Sequence, residues 1–264
     1  MKKLAFNPKQ HAWHFPNNIV NVFGPVKTNG LCGGMCLAAV NYYRYGMAIP
    51  HHRWEDLSQQ PQENGNMIVD TLNPGKYYEI LGYIYHSQIA IHASGATVNQ
   101  FVWPWDDTEE NHFNWSVNEY PKFKNAIDKG CFAIMGVRSP TKGELMGHEI
   151  LVYGYDDDKC GLYFYDPNMP DYECSVHIEN NKLCFEIHNE DGSLAGQLPN
   201  YRSYYLQLVL DPQIKTEYTT YDVFRNVPTN FSVKPTYNEN IPLAQIFNTA
   251  IMHGQFSKKT LYHP

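Results

Sequence analysis

The chain has 264 residues, 43% hydrophobic, 14% aromatic and 18% charged, with 20 Lys and Arg against 27 Asp and Glu for a formal net charge of −7. This apolar content can fill a large core, and sparse charge with 20 Tyr suits an α+β or all-β protein better than a helical bundle. The acidic balance and the lack of a basic patch argue against general nucleic-acid binding, which needs concentrated Lys and Arg.

The N-terminus, Met1-Lys2-Lys3-Leu4-Ala5-Phe6-Asn7-Pro8, opens like a secretion signal but lacks the apolar stretch that such a signal requires. No run has the length of a membrane span. The expectation is a soluble protein that is cytoplasmic by default, with signal-independent export left open.

Residues up to Val26 read as irregular, with a turn at Phe15-Pro16-Asn17-Asn18. A helix is expected from Cys32 to about Tyr45, closed by Gly46 in the left-handed conformation. Residues 47–75 read as polar loop with one short helix from Met67, and 77–91 as helix. Positions 98–105 are ambiguous, and Asp106-Asp107-Thr108-Glu109-Glu110 reads as a solvated loop. An amphipathic helix is expected from Glu119 to Lys129, closed by Gly130, then a buried strand at 131–137 and a loop at 139–143. Further strands are expected at 173–178, 182–187 and 204–210. The domain reading is 1–210 as one catalytic unit and 211–264 as a C-terminal extension packed on it, with a helix near 243–252.

Two stretches carry chemistry. The first, Asn29-Gly30-Leu31-Cys32-Gly33-Gly34-Met35-Cys36, sets a cysteine where a Gly-rich turn enters a helix. Unpaired backbone N–H groups and the positive end of the helix dipole favour thiolate there, the nucleophilic form. Gly33 and Gly34 are expected to leave backbone uncovered for a substrate carbonyl. Cys36, one turn further in, reads as a buried structural thiol. The second stretch, from Gly147-His148 to Asp166-Pro167-Asn168, reads as a β-hairpin about Asp156-Asp157-Asp158-Lys159-Cys160. With the turn centred near Asp157, paired positions sum to 314 and His148 falls opposite Asp166, on one face. Asn168 is the reserve candidate for orienting the imidazole.

Cys, then a strand-opening His, then Asp or Asn closing the next strand resembles the papain-like fold. The likeness is greatest to its compact bacterial branches, among them bacteriocin-processing peptidases, and to uncharacterised proteins sharing Gly-Leu-Cys-Gly-Gly-Met. It spans Phe15 to Asp166. It implies an α+β fold in which the helix carrying Cys packs on an antiparallel sheet carrying His and Asp. It also implies a cysteine peptidase or amidase with catalytic residues Cys32, His148 and Asp166, acting on a peptide or protein substrate without a cofactor. Papain relatives carry a Gln about six residues before the nucleophile to hold the oxyanion; that position is Val26 here. Asn17, Asn18 and Asn29, with Asn21, are the amides that can replace it. The alternatives are an inactive binding protein on the same fold and a toxin or effector that modifies another protein by acyl transfer.

The other cysteines read as structural, with Cys174 and Cys184 the pair to form a disulfide under oxidation. No Cys-x-x-Cys or zincin-spaced His pair occurs, so no metal site is expected. The pair His51-His52 reads as solvated.

Overall fold

Residues 132–137 form an apolar run of strand-forming side chains that needs cover on both faces, and the fold supplies a helix layer to each. A computed structural model of the chain describes residues 1–23, 26–50, 62–63, 66–70, 79–93, 108–138, 147–198 and 201–211. In chain order the elements are β1 (Lys2–Lys3), α1 (Pro8–His11), β2 (Ile19–Phe23), β3 (Val26–Asn29), α2 (Cys32–Arg44), β4 (Gln62–Glu63), β5 (Asn66–Asp70) and α3 (Glu79–Ala93). Then follow α4 (Glu109–Asp128), β6 (Phe132–Arg138), β7 (Gly147–Asp156), β8 (Gly161–Tyr165), β9 (Glu173–Glu179), β10 (Lys182–His188), β11 (Leu194–Gln197) and β12 (Ser203–Leu210).

The architecture is α+β. An eight-stranded antiparallel sheet runs β11-β10-β9-β8-β7-β6-β12, with β1 pairing beside β6 along the same edge of β7. On one face, Phe132, Ile134, Leu151, Tyr153 and Tyr165 pack with α2 and α3 side chains such as Met35, Leu37, Leu81 and Ile84. On the other, Ala133, Met135, Ile150, Val152 and Phe164 pack with Phe123 and Ile127 of α4. Burying each such Leu, Ile or Phe contributes about 1.5–3 kcal/mol, which holds β6 and β7 rigidly between two cores. A smaller sheet, β3-β2-β5-β4, joins β2 to β5 in parallel.

Helix α2 contains two weak helix formers, Gly33 and Gly34, and has no side-chain N-cap. Packing stabilises it instead: every residue from Cys32 to Tyr42 is buried. The chain leaves it through Gly46 at φ +64°, as a helix-terminating glycine should.

Several expectations need correction. The segment before Val26 is not irregular, because Ile19–Phe23 is a strand paired to both β3 and β5. Met67 lies in β5, where alternate residues Met67 and Val69 are buried, rather than in a helix. Helix α4 begins at Glu109, since Thr108 Oγ1 accepts the Asn111 N–H and two glutamates favour a helix N-terminus. It tolerates Pro121 within its length. Cys174 and Cys184 are free and out of register: Cys174 faces Ile187 and Cys184 faces His177 on the neighbouring strand. A three-residue offset is about 10 Å, beyond disulfide reach. His51-His52, positions 98–105, the 139–143 loop and residues 212–264, which hold most of the C-terminal extension, lie outside the described residues. No described helix is long and apolar enough to cross a membrane.

Candidate active site

The entry to α2 is built by amides. Gly30 sits at φ +80°, a conformation costly for a side-chain-bearing residue. The Asn21 side chain donates to its carbonyl at 3.0 Å. Asn17 Oδ1 accepts the Leu31 N–H at 2.6 Å, immediately before Cys32. The Asn17 backbone N–H donates to the Pro167 carbonyl at 2.9 Å, tying this loop to the segment that follows β8. Of the four replacement amides, Asn17 is the one clasped beside the cysteine; Asn21 is spent on the Gly30 carbonyl, and Asn18 and Asn29 are exposed. Cys32 is 5% exposed.

His148 Nε2 lies 2.7 Å from Asp166 Oδ1. The contact arises differently from the expected one. Pairing near the turn sums to 317 (Asp156 with Gly161, Gly154 with Tyr163), then to 316 beyond Val152, which faces Phe164. The expected sum of 314 is therefore incorrect. Continued at 317, the ladder would put positions 148 and 166 on opposite faces. The extra residue, Tyr153, is a β-bulge that restores the even sum and so the shared face. Asp166 then sits diagonally across from His148, where the chain leaves β8 and turns at Pro167.

Asp166 is fully buried, and each oxygen has a donor. Oδ1 also accepts the Asn168 backbone N–H at 2.8 Å, and Oδ2 accepts the Tyr201 hydroxyl at 2.6 Å. Burial opposes the carboxylate, but His148, Tyr201 and Asn168 outweigh it and hold the group below the usual carboxylate range. Burial likewise disfavours the His148 imidazolium. The Asp166 charge and hydrogen bond, with a smaller contribution from the neighbouring Cys32 side chain, more than reverse this and push the ring up to about 10. The Tyr201 ring lies 5.9 Å from that of His148, tilted by 33°. Asn168, the reserve orienting residue, makes no hydrogen bond to the imidazole among the described residues; it supports Asp166 through its backbone.

Cys36 is different. Its thiol contacts the Glu149 carbonyl at 3.7 Å, and burial, then Cys32, Glu149 and Asp166, push it well above the ordinary thiol range. It stays a neutral core group.

The two glycines after Cys32 do not lie open to a substrate. A Cβ on Gly33 would stand 2.0 Å from Glu149 Oε2, and one on Gly34 would stand 2.1 Å from the Ile84 carbonyl. They are small because β7 and α3 press against the first turn of α2. Glu149, Gln88, Gln207 and Tyr201 are site residues that sequence reasoning missed. Glu149 had a signal: a charged residue before Ile150-Leu151-Val152 in a strand predicted to be buried is rarely incidental.

Among the described residues, one group of three metal-binding types gathers closely, His177, Glu179 and Cys184 on the β9–β10 hairpin, apart from this site. No protein-family model, curated protein or solved structure matches the chain.

Proposed function

We propose that the chain is a papain-like cysteine hydrolase, a peptidase or amidase, in which Cys32 is the nucleophile, His148 the general base and acid, and Asp166 the orienting carboxylate. The observation that carries this reading is an imidazole bonded to a buried carboxylate, with a helix-N-terminal cysteine near enough to raise its proton affinity further. That arrangement favours a thiolate–imidazolium pair.

In the reaction, the Cys32 sulfur adds to the substrate carbonyl carbon, forming a C–S bond and a tetrahedral oxyanion. The Cys32 backbone N–H and the Asn17 amide are the donors assigned to that oxygen, each worth about 2.7–4 kcal/mol where such donors have been removed. Collapse breaks the C–N bond as His148 passes its proton to the leaving amine. His148 then takes a proton from water, which attacks the thioester and frees Cys32. Asp166 keeps the ring oriented throughout and stabilises it each time it is protonated.

A competing reading, an inactive binding protein on this fold, draws on the low exposure of Cys32 and the carboxylate beside its sulfur. Thiol labelling separates the two. An enzyme gives rapid, pH-dependent labelling of Cys32 that falls sharply in His148→Ala. A binding protein gives slow labelling that ignores that substitution.

A further inference from the structure

Glu149 is 3% exposed, and it touches the Cys32 sulfur twice. Its backbone N–H donates to Sγ at 3.3 Å, and its Oε2 stands 3.8 Å from the same atom. Two elements hold the carboxylate in place. Gln88 of α3 donates to Oε2 at 2.7 Å, and Gln207 of β12 donates to Oε1. Gln88 also accepts the Gly34 N–H at 2.7 Å, satisfying one of the unpaired donors of the α2 first turn. Gln207 occupies a bulge, where β12 pairing with β6 slips between Leu206 and Leu208. Such a bulge re-aims a side chain at the expense of regular pairing.

Two amides donating to the two oxygens match a carboxylate, an acceptor on both. Glu149 and His148 from β7 and Cys36 one turn along α2 neighbour Cys32; Asp166 stands behind His148 with Tyr201 beyond it, and Tyr165 of β8 lies beside Cys36. The cysteine and tyrosine neighbours are neutral groups, so among the described residues the charged groups of this cluster are one imidazolium and two carboxylates. The Asp166 carboxylate is engaged by His148, whereas the Glu149 carboxylate is the one in direct contact with Sγ.

We propose that Glu149 is a positioning residue whose N–H seats the Cys32 sulfur and whose carboxylate opposes negative charge on it, so that Cys32 becomes nucleophilic only while His148 is protonated. The proposal rests on Cys32 acting as the nucleophile. In this arrangement the strand that carries the histidine also carries the brake, one residue further on. Gly33 is the sequence mark of that carboxylate, since any side chain there would displace it.

The test is iodoacetamide alkylation of Cys32 in the full chain, followed by peptide mapping across a pH series. Glu149→Gln keeps the size of the side chain and removes its charge. Its alkylation profile is expected to rise about one pH unit earlier, a tenfold faster rate at fixed pH on the acid limb; a charge about 4 Å away in protein surroundings suffices for that. Glu149→Asp, which withdraws the carboxylate from the sulfur without removing it, gives a smaller shift in the same direction and serves if the glutamine variant does not fold. A folded Glu149→Gln protein whose profile superimposes on the wild type overturns the proposal, because a purely structural residue leaves the profile in place. A wild-type Cys32 that reacts like a free thiol and ignores His148→Ala overturns the enzyme reading itself, and this proposal with it.

Discussion

Replacing Asp166 by Asn isolates what the buried carboxylate does to His148. The amide oxygen can keep the bonds to His148 and to the Asn168 N–H, and the amide N–H₂ can donate to the Tyr201 hydroxyl, so the shape survives. The charge does not. His148 stands at about 10 against an ordinary 6.5, a gap worth on the order of 5 kcal/mol of preference for imidazolium, with Asp166 its largest favourable source. With that charge gone, burial acts nearly unopposed, and the ring should titrate near or below its ordinary value. The sign for stability follows. Folding raises the proton affinity of the ring, so the stabilisation is complete below about pH 6.5 and is lost as the pH rises through about 10. The Asp166 carboxylate is depressed by folding, so its contribution is lost at the acid end, as the pH falls through its lowered range. Histidine ring NMR across a pH titration reads the effect directly. His148 should stay protonated past neutrality in the wild type and become neutral there in Asp166→Asn, with the alkaline limit of any activity moving down. An imidazole that titrates alike in the two proteins would refute the assigned electrostatics.

Three further substitutions probe the supports. Tyr201→Phe strips the donor from Asp166 Oδ2 and should cost about 1–3 kcal/mol in urea unfolding, with the acid limit of activity moving up as the carboxylate loses a stabilising partner. Gly33→Ala gains helix propensity of about 1 kcal/mol, yet its Cβ meets Glu149 Oε2 at 2.0 Å; a lower melting temperature and slower Cys32 labelling are expected, and a stabilised, fully reactive variant would contradict the packing described. Cys36→Ala should cost on the order of 1 kcal/mol in stability and leave Cys32 labelling intact, whereas lost labelling would mean that the wrong thiol has been chosen.

Much of this arrangement was legible because it is local. Helix α2 is marked by a glycine turn at one end and Gly46 at the other, and the β7–β8 hairpin by two β-rich runs around a cluster of aspartates. The pairing of His148 with Asp166 was predicted, but through a register that does not occur; the Tyr153 bulge has no signature in composition or alternation, and it decides the face. The clamp around Glu149 was hidden for a different reason. Its members come from α2, α3, β7 and β12, and only tertiary packing brings Gln88 and Gln207 to one carboxylate. Tyr201 is hidden in the same way. The parallel pairing of β2 with β5 joins residues nearly fifty positions apart, beyond the reach of periodicity within a window. Gly33 and Gly34 show how one observation supports two accounts: their smallness was evident, and only the structure shows that Glu149 and the α3 backbone, not a substrate, lie against them.

The central claim is that Cys32 attacks a carbonyl with the help of His148. Its most direct measurement is rapid quenching of the full chain with an activated ester such as p-nitrophenyl acetate, followed by intact-mass analysis and peptide mapping. The account predicts a single acyl adduct on Cys32, formed in step with the first burst of p-nitrophenol, absent in Cys32→Ala and strongly slowed in His148→Ala. An adduct on another residue, or a burst that persists without Cys32, would contradict it.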